Sequence, residues 1–175
     1  MELQEAIKLI GDSRILNNNK TIWADLGCGD GLFTRALASL LSEGSTIYAI
    51  DKNASSFKIV RSHPSVIIYK LVADFIHDEM NIEKLDGILM ANSLHFVNDK
   101  TSFLKRIFVH LKPASHILII EYDMSSPNQW VPYPISFLSL QKLFSALNIT
   151  GIQKIHEMSS RYNRGNIYSA IASIS

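Results

Sequence analysis

The stretch Trp23-Ala24-Asp25-Leu26-Gly27-Cys28-Gly29-Asp30-Gly31-Leu32-Phe33 constrains this chain more than any other. Residues 21–26 are an apolar run that reads as a buried strand, a glycine-rich turn follows, and an apolar-periodic helix opens at about Gly31. Strand, tight turn and helix make a corner suited to a nucleotide. Glycines let a backbone approach a ligand closely, and a helix N-terminus points unpaired N–H groups into the same space. The spacing is G-x-G-x-G, with Leu32 standing where the dinucleotide fingerprint G-x-G-x-x-G has its last glycine. Asp25, two positions before the first glycine, suits a ligand with an ammonium group, met directly or through water, better than a pyrophosphate. The competing reading is a glycine turn that merely packs helix on strand.

The rest of the chain alternates helix and strand. Leu3, Ala6, Ile7 and Ile10 predict a helix over about 2–10, ended by Gly11. Leu32, Phe33, Ala36, Leu37, Leu40 and Leu41 form the stripe of a second helix, with Gly44 as its C-cap. Strands are predicted over 46–50, 66–72, 86–91 and 116–122, with a helical segment over 53–61 broken by His63-Pro64. Asn98 or Asp99 caps a helix whose buried stripe is Phe103, Leu104, Ile107, Phe108 and Leu111, with Lys105 and Arg106 on its solvated face. Ser136 caps another, carrying Leu140, Leu143, Phe144 and Leu147, which Asn148 can end in a left-handed conformation. Residues 152–156 and 166–173 read as two closing strands. This order implies one α/β domain over 1–175, a parallel sheet with helices on both faces and an antiparallel strand at the end.

Asp25 to Gly31 resembles motif I, D/E-x-G-x-G-x-G, of the class I S-adenosylmethionine-dependent methyltransferases. Asn92-Ser93-Leu94-His95-Phe96-Val97 resembles the motif IV region of that family. Leu111-Lys112-Pro113-Ala114-Ser115 resembles its LKPGG segment, with Ala114 and Ser115 in place of glycines. The resemblance covers about 21–173. It implies a Rossmann-like three-layer sandwich, sheet order 3-2-1-4-5-7-6 with strand 7 antiparallel, and S-adenosyl-L-methionine as cofactor.

The resemblance also implies site residues. Asp25, Gly27, Cys28, Gly29, Asp30 and Gly31 would lie at the methionine part of the cofactor. Asp51 and Lys52 follow strand 2, where Asp51 would face the ribose; the plainer reading of Asp51 is a cap for the next segment. Asp74 would hold the adenine amino group with Phe75 against the ring, or the pair is a surface loop acid and a packing aromatic. Asn92 and Ser93 would contact the cofactor. His95 is a candidate catalytic base, since its ordinary pKa lies near neutrality, or it packs beneath the adjoining helix. Trp130 and Tyr133 sit in an irregular, proline-rich loop after strand 5, where loops line the ligand crevice. They form an aromatic wall for a substrate or pin the loop. Arg161, with Arg164, is a candidate for a substrate anion or a solvated hairpin charge.

Several functions are disfavoured. Net charge is +1, and the N/D-P-P-Y/F tetrapeptide of enzymes that methylate adenine or glutamine amines is absent, so nucleic acid is not expected as a partner. No apolar run reaches membrane-spanning length, and the acidic start is not a signal peptide. One cysteine fits a reducing compartment, hence a cytoplasmic protein. The histidines lack i, i+4 pairing, so no metal is expected. Neither a G-x-S-x-G elbow nor a Walker A lysine is present. The segment before strand 1 is short against the family's usual cover, so the site is expected to be open or covered by another chain, and a homodimer is an open expectation. The leading expectation is methyl transfer to a small-molecule oxygen, carbon or nitrogen. The alternative is a non-catalytic cofactor-binding or scaffold module; a nicotinamide oxidoreductase is disfavoured by the glycine spacing and Asp25.

Overall fold

The computed structural model describes residues 1–16, 18–58, 62–82, 84–149, 151–159 and 165–174. In chain order the elements are α1 (Leu3–Ile10), β1 (Ile22–Leu26), α2 (Leu32–Ala38), β2 (Thr46–Asp51), β3 (Ile67–Val72), β4 (Leu85–Ala91), α3 (Lys100–Phe108), β5 (Leu111–Tyr122), α4 (Phe137–Ala146), β6 (Gln153–Ser159) and β7 (Asn166–Ser173). Short 3-10 turns cover Ala54–Lys58 and Leu94–Phe96.

The strands form one sheet of order β3-β2-β1-β4-β5-β7-β6. Pairs from β3 through β5 are parallel, and β7 runs antiparallel to both β5 and β6. The expected sheet order and the antiparallel strand 7 are therefore present. The central strands are apolar on both sides because helices cover both faces. One core joins Trp23, Ile47, Leu89 and Leu118 to Ala6, Leu9 and Ile10 of α1 and Phe33, Ala36 and Leu37 of α2. The other joins Ala24, Leu26, Ile88, Met90 and Ile119 to Phe103, Leu104 and Ile107 of α3 and Leu140 and Phe144 of α4. Burying each such large apolar side chain contributes about 1.5–3 kcal/mol.

Local chemistry sets the helix ends. Asp99 accepts the Ser102 N–H at 3.0 Å, and Ser136 accepts the Ser139 N–H at 3.2 Å. Asn148, just past α4, has φ +60°, as its short polar side chain allows. Ala114 takes φ +61° in the segment where the resembled family has glycine.

The structure departs from the sequence pattern around β3. The stripe of the second helix predicted a C-cap at Gly44, but α2 ends at Ala38, where the Ser39 hydroxyl bonds the Arg35 carbonyl at 2.9 Å. Gly44 instead turns into β2 with φ +80°. Of the expected helical segment 53–61, the described part is only the 3-10 turn. The described residues of the β3-to-β4 crossover, 73–84, contain no helix or strand either. Edge strand β3 leaves Ile67, Tyr69, Leu71 and Val72 exposed.

Candidate cofactor-binding site

Beyond β1 the chain runs outward on one side to β2 and β3, and returns to β4 on the other side of β1. This is a topological switch point, where open α/β sheets place ligands at the carboxyl ends of the strands. A cavity of about 420 Å³ lies there, within the usual range for small-molecule sites. It is lined by the turns after β1, β2, β3 and β4.

The glycine turn is built for close approach. Gly27 has φ +78°, and a Cβ added there would lie 2.7 Å from the Ser93 Cβ and 3.1 Å from the Phe75 ring. The N–H groups of Gly27 and Cys28 donate to the Ile50 carbonyl at 2.9 and 3.0 Å, which ties the turn to β2. Gly29 differs: at φ +52°, an added Cβ meets nothing within 4 Å. Gly29 also lines the cavity. Its N–H donates to Asp51 Oδ2 at 2.9 Å.

Most residues predicted for the cofactor converge here. Gly27, Cys28, Gly29, Asp30, Asp51, Lys52, Asp74, Phe75, Asn92 and Ser93 all line the cavity. Its formally charged side chains are three carboxylates, Asp30, Asp51 and Asp74, against one ammonium, Lys52. That balance favours a cationic ligand and opposes a pyrophosphate. Asn92 has φ +53°, and its buried Oδ1 has no partner among the described residues. The Ser93 hydroxyl donates to the Leu26 carbonyl at 2.6 Å and so fixes the exit of β4 against the end of β1. Burial, reinforced by Asp25 and Asp51, pushes the Cys28 thiol far above its ordinary range, which favours the thiol over the nucleophilic thiolate.

Asp25 and Gly31 do not line the cavity. Gly31 is the N-cap of α2, with φ +78°. Asp25 is fully buried; its Oδ2 accepts the Thr34 hydroxyl at 2.6 Å, and its Oδ1 has no partner among the described residues. Burial pushes its carboxyl up to about 7; the Thr34 hydrogen bond opposes this and the Asp51 charge adds to it.

The residues predicted for the acceptor side do not gather at the cavity. His95 is buried and is not a lining residue. Its Nδ1 pairs with Glu121 Oε2 at 2.7 Å, and its backbone N–H donates to Glu121 Oε1 at 3.1 Å. This geometry is that of the packed histidine, with the turn after β4 fastened to β5. Tyr133 and Trp130 are also outside the lining. The Tyr133 N–H donates to the His95 carbonyl at 3.0 Å, and Lys100 Nζ bonds the carbonyls of Val97 and Tyr133 at 2.7 and 2.8 Å. Tyr133 is thereby a pin for its loop; Trp130 is exposed on the same loop. Arg161 and Arg164 lie outside the described residues.

Other residues were missed. Leu32, Phe33, Ile76, Ala91 and Phe96 line the cavity, and Phe96 is half exposed at its edge. Phe96 stood in the segment that resembles motif IV and could have been weighed with its neighbours. Glu121 had a signal too, as the one acidic residue inside the apolar strand 116–122. Among the described residues, no group of three or more His, Cys, Asp or Glu could hold a metal ion.

The profile of a family described as a methyltransferase domain matches residues 24–117, more than half of the chain. The chain belongs to this methyltransferase family. A protein of Invertebrate iridescent virus 6 named as a methyltransferase, 235L, is 28% identical to this methyltransferase domain over 115 residues, 66% of the chain. The aligned part is 42% of that relative's length, so the chain spans less than half of it. Among solved structures, an S-adenosylmethionine-dependent methyltransferase from Listeria monocytogenes superposes with TM-score 0.69 at 13% identity, covering 98% of this chain and 97% of that one. The 1,6-didemethyltoxoflavin-N1-methyltransferase of Burkholderia thailandensis, with 1,6-didemethyltoxoflavin and S-adenosylhomocysteine bound, superposes with TM-score 0.71 at 16% identity. That match covers 99% of this chain and 78% of the other. At these identities the likeness is one of fold.

Proposed function

We propose that this methyltransferase domain binds S-adenosyl-L-methionine in the cavity beyond β1, β2 and β4 and directs its methyl group to a small-molecule acceptor. The observation that carries this reading is the lining itself: a left-handed glycine open to the cavity, amid three carboxylates and one ammonium. It fits a ligand that combines a cationic amino-acid end with a nucleoside. The partnerless Oδ1 of Asn92, which lines the cavity, fits the same ligand as an acceptor at the methionine end.

The cofactor supplies an electrophilic sulfonium methyl. The chain's part is to bind, orient and exclude water. Gly29 gives the amino-acid end its room. Asp51 has lone pairs left for ribose hydroxyls after accepting from Gly29 and Asn53. Asp74 and Phe75 take the adenine amino group and ring. Asp25 acts from beneath the turn through its charge. Phe96 forms the apolar edge over which an acceptor enters. His95 holds the turn after β4 in place and is not needed as a base, since the sulfonium needs little activation of its acceptor.

Near-neutral charge supports a small-molecule acceptor over nucleic acid, and the lone cysteine supports a cytoplasmic setting. No helix among the described residues is long and apolar enough to cross a membrane. The exposed apolar strand β3 supports a homodimer. The test is incubation of the protein and a cell extract with methyl-labelled S-adenosylmethionine. Label is expected in the low-mass fraction; label in RNA, DNA or protein alone, or in no fraction, contradicts the reading.

A further inference from the structure

Helix α3 does more than cover the sheet. The sequence pattern places Arg106 beside Lys105 on the solvated face, yet its guanidinium is turned onto the chain after β3. Nη2 donates to the carbonyls of Phe75 and Ile76 at 2.9 and 2.5 Å, and Nη1 donates to that of Asp78 at 3.0 Å. The same guanidinium lies 5.7 Å from the centre of the Phe103 ring, which in turn meets the Phe75 ring edge-on at 5.8 Å. Four positions on, His110 Nδ1 pairs with the Ile82 carbonyl at 2.6 Å. One flank of α3 and its end thus holds the β3-to-β4 crossover at both ends.

The crossover needs such a hold. Its described residues contain no helix or strand, so its carbonyls lack the donors that regular structure would supply. Local bonds set the shape of its first turn. Asp74 Oδ1 accepts the Ile76 N–H at 2.9 Å, Asp78 Oδ2 accepts the Asp74 N–H at 2.8 Å, and the Asp74 carbonyl accepts from His77 and Asp78. None of these fixes the turn relative to the body of the protein. Arg106 does so through the main chain, because a planar fork of N–H donors can serve several carbonyls in a fixed geometry. The turn it holds presents Asp74, Phe75 and Ile76 to the cavity.

We propose that Arg106 is a positioning residue of the cofactor site: by gripping the carbonyls of Phe75, Ile76 and Asp78, it sets where Asp74, Phe75 and Ile76 meet the adenosine end of the ligand. The inference rests on the reading that this cavity binds S-adenosylmethionine. Arg106 touches no ligand itself; its effect passes through the turn.

The test uses Arg106→Met, which keeps an apolar stem over Phe103, Arg106→Lys, which keeps the charge without the fork, and Lys105→Met as the neighbouring control. Calorimetry measures S-adenosylhomocysteine and 5′-methylthioadenosine, which lacks the amino-acid end. Both Arg106 variants are expected to weaken both probes by the same factor, at least about tenfold, the scale of lost hydrogen bonds from a charged donor. Lys105→Met is expected to stay within about twofold, as surface changes do. Amide exchange should quicken at 74–78 and stay unchanged in β1 and β4. Should the methionine variant fail to fold, the lysine variant carries the test. Wild-type affinity in a folded Arg106 variant overturns the proposal. So does full recovery by lysine, or a loss confined to S-adenosylhomocysteine. Failure of the unsubstituted protein to bind either probe overturns the cavity reading itself, and is seen before any substitution.

Discussion

The Gly29 amide donates to the Asp51 carboxylate across 2.9 Å and so joins the turn after β1 to the end of β2. The second carboxylate oxygen accepts the Asn53 amide at 2.8 Å. One side chain therefore shapes the glycine turn, caps the segment after β2 and faces the cavity. The roles of cap and ribose ligand are compatible, since each oxygen keeps a free lone pair. Asp51→Asn retains one acceptor oxygen and should weaken S-adenosylhomocysteine binding by about 1–3 kcal/mol with a smaller loss of stability. Asp51→Ala should lose both. Calorimetry and thermal melting separate the two effects. An alanine variant that melts lower but binds normally would leave Asp51 as a cap alone.

Two neighbouring glycines should fail in different ways. Gly27→Ala drives a Cβ to within 2.7 Å of the Ser93 Cβ, inside a packed turn, and adds left-handed strain. It should destabilise the ligand-free protein by roughly 2–4 kcal/mol, as overpacking and strain combine. Gly29→Ala meets open space, so its cost to folding is the left-handed strain alone, about 1–2 kcal/mol. Its main effect should be on ligand affinity, because Gly29 lines the proposed ligand cavity. Equal melting losses with unchanged affinity for both variants would remove Gly29 from the ligand site.

Asp25 makes stability depend on pH. Burial raises its carboxyl to about 7 in the folded protein, so the folded state holds this proton more tightly than the unfolded chain, whose value is 3.8. The stability it contributes is complete below pH 3.8, falls as pH rises toward about 7, and is flat above. Asp25→Asn should remove that slope and melt higher than the parent above neutrality. A cationic ligand favours the carboxylate, so S-adenosylmethionine binding near pH 7 should release a proton, read as a binding heat that changes with the buffer's ionisation enthalpy. An unchanged pH slope in the asparagine variant would show that Asp25 is not its source.

In the sheet, Trp23 pairs in register with Gly87, and a Cβ on Gly87 would lie 2.4 Å from the indole ring. The ring is buried and rigid, so it cannot step aside cheaply. Gly87→Ala should cost at least about 1–3 kcal/mol, the range for overpacking a core. Chemical denaturation measures it; a loss below about 0.5 kcal/mol, the scale of a neutral surface change, would contradict the packing described.

What could be read from the sequence was local or strongly periodic. The glycine turn, the closing strand over 166–173 and the caps at Asp99 and Ser136 depend on residues close in the chain. The sheet order came from the resemblance of motifs. What escaped the sequence depends on contacts between distant residues. Nothing local tells that Glu121 holds both the backbone N–H and the ring Nδ1 of His95, twenty-six positions away, or that Arg106 holds carbonyls near residue 76. The same blindness affected the loop after β5. Trp130 and Tyr133 follow the end of a parallel strand, as ligand-lining loops do, but neither lines the cavity, and the main chain of Tyr133 is bonded to Lys100 and to the His95 carbonyl. Before β3, the described part of the expected helical segment forms only a 3-10 turn over Ala54–Lys58, where the apolar periodicity is weak.

The cavity beyond β1, β2 and β4 is expected to take a nucleoside ligand with a cationic end. Calorimetric titration of the protein with S-adenosylmethionine, S-adenosylhomocysteine and NAD tests it most directly. Saturable binding at one site is expected for the first two and none for NAD. Binding of NAD, or of none of the three, would contradict it, and the latter would favour a scaffold that keeps the corner without its ligand.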